Sequence, residues 1–291
     1  MKLVNRAGPG HVALETTLLL HGVPAGQGER LARELSETTR QHGVPAAFVG
    51  IFNGTPTVGL DFNELNELLA AENVEKANTA NAGVLMHRGR HGATTVSTTM
   101  EFAAAAGVRV FATGGIGGVH TGYAERLDIS ADLAAFTRFP VAVVTSGVKS
   151  LLDVVSTREV LETLGIPVVG FQTDWFPAFY LRTSEARVDA RFDDVAELAG
   201  FVRTELERTG RGIVVAHPVP QPDEIPRHTW EQWLAVSEAH AAASKAAGRD
   251  LTPAVLRHLH QVSGGATLRS NLALVRSNAD LAARLCRAMQ G

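Results

Sequence analysis

The sequence predicts an α/β fold, a three-layer α/β/α arrangement with a largely parallel central sheet, and three observations lead there. Short β-branched runs alternate with amphipathic helical stretches, the pattern of strands joined by helical crossovers. The runs are apolar throughout and read as buried strands. Each is followed by a glycine-rich or polar segment, and in an open parallel sheet such segments line one edge, where ligands bind.

The strand runs span residues 46–51, 108–112, 141–145, 167–171 and 213–216. An amphipathic helix is expected over 28–42, ending at Gly43. A second helix is expected from Thr157, with Ser156 as cap, Glu159 completing a capping box and Gly165 as its stop. Residues 218–226 form a proline-rich break. Beyond it, Thr229 and Gln232 suggest a capping box that opens a helix carrying Trp230 and Trp233. The rest, to Gly291, reads as helical with a turn at Ser263-Gly264-Gly265. A single domain over 1–291 is therefore expected, its C-terminal helical extension beginning at about 227 and packing on the sheet.

Composition narrows the function classes. Of 291 residues, 45% are apolar and 20% charged, as in ordinary soluble globular proteins. The formal net charge is −3 and no lysine or arginine block stands out, which argues against nucleic-acid and membrane-surface partners. Cys286 is the only cysteine, so neither a disulfide framework nor a cysteine-rich metal site can form within one chain. The apolar stretch 12–23 is interrupted by Glu15, Thr16, Thr17 and His21; it is too short and too polar to span a bilayer and lacks a signal-peptide pattern. A reducing cytoplasm is the expected compartment.

The segments after the strands hold the candidate chemistry. They read Thr113-Gly114-Gly115-Ile116-Gly117-Gly118-Val119-His120, Ser146-Gly147-Val148-Lys149-Ser150, Gln172-Thr173-Asp174 and His217-Pro218. Lys149 follows a buried strand and a glycine and is expected in the first turn of a helix over 150–155. There the helix dipole and partial burial lower a lysine pKa, and a neutral amine beside a carbonyl forms a Schiff base. The alternative is a surface lysine reaching water. Glu15 lies in an apolar segment; if buried it holds its proton to higher pH and serves as a general acid. Its alternatives are an N-terminal helix residue or an edge-strand charge. Asp128 and Asp132, flanking Ser130, suit a hard, water-rich cation such as Mn²⁺ or Mg²⁺; Asp128 or Ser130 as the cap of a helix over 131–135 is the alternative, and one does not exclude the other. Small and hydroxylated residues at 92–99 suit an anion at a helix start, with Lys76 as counter-charge; a threonine-rich capped helix explains them equally. The 114–118 glycines lack the dinucleotide spacing, and His87, His91, His258 and His260 show no zinc spacing and read as surface or packing residues.

The 111–120 motif, followed by Asp128-Ile129-Ser130-Ala131-Asp132-Leu133 and by Ser146 to Ser150, resembles the pseudouridine-5′-phosphate glycosidases, also called the indigoidine-synthase-A-like family. Ala13-Leu14-Glu15-Thr16-Thr17, Gly92 to Val96, Thr173 to Phe179 and Asn271-Leu272-Ala273-Leu274-Val275 match in order, so the likeness covers roughly 12–285. The resemblance implies that Lys149 forms an imine with ring-opened ribose 5-phosphate and that Glu15 donates the proton. It implies that Asp128 holds Mn²⁺ or another divalent cation, largely through waters. Lys76 and Val96 match phosphate contacts; Ser130, Ala131 and Asp132 match further substrate contacts. His120, which closes the glycine-rich motif, is grouped with them, and Asn271 matches a residue at the nucleobase. The family assembles as a trimer, so a homotrimer acting on ribose 5-phosphate and a flat aglycone is implied.

Three departures from the family pattern remove charge. Lys76 is followed by Ala77-Asn78-Thr79-Ala80-Asn81 where a Ser-Arg-Arg-Asp run is usual, Trp175 replaces an acidic residue, and Thr121 replaces an arginine. Retained sugar chemistry with a changed aglycone is one consequence, as in the branch that attaches ribose 5-phosphate to an aromatic polyketide in alnumycin biosynthesis. Trp175 is then either a stacking face for the aglycone or a packing residue near Trp230. A non-catalytic sugar-phosphate-binding protein is the remaining alternative, opposed by the joint retention of Lys149, Glu15 and Asp128.

Overall fold

The apolar runs fold as strands buried on both faces, in a computed structural model that describes residues 2–123, 127–243 and 251–291. The strands are β1 Val4–Asn5, β2 Val12–Glu15, β3 Ala46–Phe52, β4 Thr55–Val58, β5 Glu75–Ala77, β6 Gly92–Thr94, β7 Val110–Ala112, β8 Val119–His120, β9 Ala142–Thr145, β10 Leu152–Asp153, β11 Val168–Phe171, β12 Ala190–Phe192 and β13 Ile213–Ala216. The helices are α1 Thr17–His21, α2 Gly28–Arg40, α3 Phe62–Ala70, α4 Ala82–His87, α5 Val96–Ala105, α6 Ala131–Phe136, α7 Val154–Thr163, α8 Val195–Thr209, α9 Arg227–Ala243, α10 Leu251–Val262 and α11 Ala266–Ala288.

Eleven strands form one sheet in the order β1-β4-β3-β2-β7-β9-β13-β11-β12, with β6 joined to β3 and β5 to β6. From β3 to β12 every pairing is parallel. β4 and β6 pair antiparallel with β3, and β1 and β5, parallel to them, share their direction. Side chains of a strand alternate between faces, and the core divides accordingly. Val12 and Leu14 join one cluster with Leu31 and Leu35 of α2, Leu198 and Val202 of α8, and Leu274 and Leu281 of α11. Ala13 joins the other with Met100 of α5, Phe136 of α6 and Leu161 of α7. Two helical layers sandwich the sheet, as the strand–helix alternation predicts.

Four local expectations change. The segment holding Glu15 is neither a helix nor an edge strand: β2 sits centrally, between β3 and β7. Residues 150–153 form no helix; Leu152 and Asp153 pair antiparallel with His120 and Val119 instead. The dipole argument for Lys149 falls away with that helix. The following helix, α7, starts at Val154 rather than Thr157, and Asp153 caps it, accepting from the Ser156 amide at 2.9 Å. A carboxylate outcompetes the Ser156 hydroxyl for the cap, and that hydroxyl donates to Asp153 at 2.7 Å. Helix α9 begins at Arg227, directly after Pro226, so Thr229 lies within it rather than capping it.

The C-terminal helices follow the expected course, except that 244–250 lie outside the described residues. The elbow between α10 and α11 is made by Gly264 and Gly265, both in the left-handed region that favours glycine. α11 then runs across the sheet, burying Leu274, Val275, Ala279, Leu281 and Leu285. Among the described residues no helix is long and apolar enough to cross a membrane.

Candidate active site

Parallel pairing of β2, β7, β9 and β13 brings their carboxyl ends together. Leu14 lies opposite Ala112 and Ala112 opposite Val144, so the next residues, Glu15, Thr113 and Thr145, are neighbours at one edge. Glu15 is only 4% exposed. The Thr113 hydroxyl donates to its Oε1, and Oε2 is buried without a hydrogen-bond partner. Burial raises the Glu15 pKa; the nearby Lys149, the Thr113 hydroxyl and Lys76 act against that, and the Asp132 carboxylate adds to it. Burial prevails: an isolated buried carboxylate costs several kcal/mol, whereas attraction to lysines that reach water is screened to about 1 kcal/mol or less.

The edge opens into a cavity of about 560 Å³. Glu15, Lys76, Lys149 and Asn271, named separately in the sequence, all line it. Lys76 projects from β5, and crowding by protein atoms, then the charge of Lys149, lowers its pKa, with Glu15 opposing. Asn271 donates through Nδ2 to the Gly22 carbonyl at 3.4 Å, while its buried Oδ1 has no partner. Leu18, Val23, Pro24, Phe179 and Leu268 supply an apolar wall.

Glycine shapes the lysine loop. Gly147 has φ of +85°, and a Cβ there would come within 1.8 Å of the Pro177 carbonyl oxygen. The chain can therefore pass beneath residues 177–179 and turn back, so that the Lys149 amide bonds the Ile116 carbonyl at 3.0 Å and its side chain emerges at the cavity.

The remaining sequence candidates do not line the cavity. Asp132 is buried, and its two carboxylate oxygens accept from the Ser97 amide at 2.9 Å and the Gly117 amide at 2.8 Å. The amide of the α5 start is thus occupied by a side chain of the protein itself. Val96, which opens α5, is fully buried. Ser130 takes the capping alternative, accepting from the Asp132 amide at 3.2 Å, and Ala131 is the first residue of α6. With Asp132 and Ser130 so engaged, the expected carboxylate pair is not available as such. Asp128 stands exposed with His120 Nδ1 3.9 Å from its Oδ2. One carboxylate and one imidazole, with open solvent around them, fit a divalent ion that keeps most of its waters. Among the described residues no group of three or more potential ligands is present.

Of the four strand-end segments, those at 113–120 and 146–150 reach the cavity and two stay outside: Asp174 pairs with Arg191 on the surface, and His217 turns to Asn278. Trp175 neither lines the cavity nor meets Trp230; the Arg187 guanidinium stacks on it at 4.3 Å. Trp230 packs instead on Tyr180, with ring centroids 5.3 Å apart. Thr121 reaches only the Leu151 carbonyl, and Asn78 and Asn81 close the turn after Lys76 through their own side chains. Sequence reasoning missed His21 and His260, which both line the cavity. His260 lies in the last turn of α10 beside the Gly264-Gly265 elbow, and that break was the available signal. Cys286 is buried in α11, where burial pushes its thiol up to about 11, and it takes no part in the site.

The raised pKa of Glu15 has a consequence for stability. The folded chain keeps this proton to higher pH than the unfolded chain does, so folding binds a proton over that interval and stability falls as pH rises from the ordinary carboxylate range to the folded-state pKa. Glu15→Gln removes the effect. Urea unfolding across pH should show wild type losing stability relative to Glu15→Gln as pH rises; parallel curves would mean that Glu15 is ionised in the fold.

Comparison with known proteins accords with this geometry. Residues 4–288 match the family described as indigoidine synthase A like protein. The chain is 45% identical over 286 residues to the pseudouridine-5′-phosphate glycosidase of Methylobacterium nodulans, covering 98% of this chain and 85% of that protein. It is 42% identical over 277 residues to the pseudouridine-5′-phosphate glycosidase of Geobacillus kaustophilus, covering 95% and 92%. Among solved structures, the prealnumycin C-glycosynthase AlnA in complex with ribulose 5-phosphate matches with a TM-score of 0.89 at 31% identity, covering 96% of this chain and 91% of that one. An indigoidine synthase A-like protein from Thermotoga maritima matches with a TM-score of 0.89 at 34% identity, covering 99% and 97%. With a match along nearly its whole length and the same three-layer fold, the chain belongs to the indigoidine synthase A like family.

Proposed function

We propose that this protein is a C-glycosidase that reversibly cleaves pseudouridine 5′-phosphate to uracil and ribose 5-phosphate. The observation that carries the reading is the meeting of a buried acid, Glu15, and two lysines, Lys149 and Lys76, at one cavity. The identity to glycosidases over the whole chain supports it. A C–C glycosidic bond has no heteroatom leaving group to protonate, so the electrons must be drawn toward C1′. In this mechanism the Lys149 amine adds to C1′ as the C1′–O4′ bond breaks and the ribose ring opens, the proton lost by the amine passing to O4′. A proton from Glu15 then reaches the uracil carbon as the C1′–C bond breaks, and the nitrogen lone pair forms the imine. Water hydrolyses the imine, releasing ribose 5-phosphate and the free amine. Lys76 holds the phosphate in this reading. The unpartnered Asn271 Oδ1 suits an N–H donor, which uracil supplies.

A divalent cation such as Mn²⁺ belongs to the same proposal, with Asp128 and His120 as the residues that would hold it. When bound there it would supply Lewis-acid charge, and since neither residue lines the cavity it would act on a sugar oxygen only where the substrate extends to them. Homotrimer assembly and a cytoplasmic location are likewise proposed. The exposed apolar side chains of Tyr123, Leu127 and Ile129, beside Asp128, offer surface for a subunit contact.

A second reading is C-ribosylation of an aromatic acceptor. The apolar cavity wall favours it, as does the likeness to the prealnumycin C-glycosynthase. Trp175, stacked under Arg187, lends it no support.

Three outcomes test these proposals. Incubation with ribose 5-phosphate and borohydride should fix the sugar on Lys149, and Lys149→Ala should abolish both labelling and turnover of uracil. Labelling without turnover of uracil but with an aromatic acceptor would establish the second reading; no labelling would leave a sugar-phosphate binder. Retention of more than about a tenth of the wild-type rate by Lys149→Ala would exclude covalent catalysis there. Exhaustive EDTA treatment should remove activity, with Mn²⁺ restoring it, because a site rich in water binds weakly; full activity after chelation rejects the metal. Sedimentation should give a single species of three chains, and a monomer would reject the trimer.

A further inference from the structure

Asn278 is fully buried in the middle of α11, where an amide must find hydrogen-bond partners for both ends. It finds them at the ends of three parallel strands. Its Nδ2 donates to the Thr113 carbonyl beyond β7 at 2.8 Å and to the Ser146 hydroxyl beyond β9 at 3.1 Å. Its Oδ1 lies 3.2 Å from His217 Nδ1 beyond β13. With both Nδ2 hydrogens committed, Oδ1 accepts, so His217 is the tautomer carrying its proton on Nδ1. Burial pushes His217 down to about 4, which keeps the ring neutral for that bond.

Two of the three strand ends that Asn278 holds, those of β7 and β9, lead to residues of the proposed chemistry, and His217 beyond β13 anchors the other end of the amide. Thr113 is pinned on both sides of its backbone: its amide donates to the Val144 carbonyl at 3.0 Å and its carbonyl accepts from Asn278. That fixes the direction of the Thr113 hydroxyl, which donates to Glu15. Ser146 opens the Lys149 loop, and its amide bonds the Gly114 carbonyl at 2.9 Å.

We propose that Asn278 is the positioning residue of this active site, its side-chain amide keying the Glu15 clasp, through Thr113, to the root of the Lys149 loop. It lines no part of the cavity. The inference rests on the C-glycosidase reading for its catalytic consequence. Its geometric content, that Asn278 governs the hydrogen bond received by Glu15, stands apart from turnover. Around Glu15 the groups that matter are Thr113, Lys149, Lys76 and Asp132; around His217 they are Asp280, Arg182 and Arg284. The Thr113 hydroxyl favours the ionised form of Glu15, so loosening Thr113 lets Glu15 keep its proton to still higher pH.

The test uses the full chain with Asn278→Leu, close in volume and free of hydrogen bonds, and Thr113→Val as a reference for loss of the clasp. Leu281→Ala, one turn away in the α11 core, serves as a packing control. The first readout is the stability difference between Glu15 and Glu15→Gln across pH in each background. Asn278→Leu should extend the fall in stability to higher pH, as Thr113→Val does, while Leu281→Ala leaves it in place. The second is turnover of pseudouridine 5′-phosphate: Asn278→Leu should lower kcat by about tenfold to a hundredfold and change KM by less than about twofold. Should Asn278→Leu not fold, Asn278→Ser takes its place with the same expectations. An unmoved stability profile beside that of Thr113→Val overturns the inference. A wild type that does not turn over this substrate overturns the C-glycosidase reading instead, and leaves the first readout valid.

Discussion

The hydrogen bond from the Thr113 hydroxyl to Glu15 joins the ends of two adjacent parallel strands, and the rest of the site is arranged around the carboxyl it holds. A carboxyl placed between two apolar layers loses its hydration, and its protonated form becomes the favoured one. Pairing register puts it there: Leu14 opposite Ala112 makes Glu15 the neighbour of Thr113. A slip of one residue would turn Glu15 toward the opposite face and carry Val12 and Leu14 out of their cluster. The core and the acid are therefore specified by the same alignment.

Two cations reach the carboxyl from other parts of the chain, and neither arrives on a helix dipole. Lys76 stands on a short strand beside β6. Lys149 rides on a loop that turns back only because Gly147 lacks a Cβ. Their charge lowers the Glu15 pKa, yet both side chains reach solvent, which weakens their pull relative to burial. The acid can thus stay protonated beside amines. That combination suits a reaction in which one residue gives a proton while another attacks carbon.

Several buried polar groups that do not face the cavity hold the elements around it. Asp132 ties the start of α5 to the glycine-rich segment through two backbone amides. The hydroxyls of Thr16, Thr94 and Thr99 bond one another and the Val49 carbonyl, locking β2, β3 and β6. Satisfied in this way, polar side chains rigidify a site without adding to its chemistry. In the stretch at 92–99, Thr94 accepts from and donates to groups of the protein itself, and Asp132 accepts from two backbone amides.

Periodicity and turn residues in the sequence were sufficient for the α/β class, for the central strands from 46–51 to 213–216 and for the edge at which chemistry gathers. Those signals are local: β-branched runs, capping residues and glycines act within a few residues of themselves. Lys149, Glu15, Lys76 and Asn271 were legible through their motifs, and they converge on one cavity. What the sequence left open depended on partners far along the chain. Whether Glu15 was an edge charge or a central buried acid turned on β3 and β7 flanking it. Whether Asp132 met a metal or an amide turned on Ser97 and Gly117. Trp175 took the guanidinium of Arg187, and His260 and His21 came to the cavity from helices that no motif linked to it. Burial and competition for hydrogen-bond partners are properties of the packed chain, so only the tertiary structure decided which polar residues face substrate and which hold the fold.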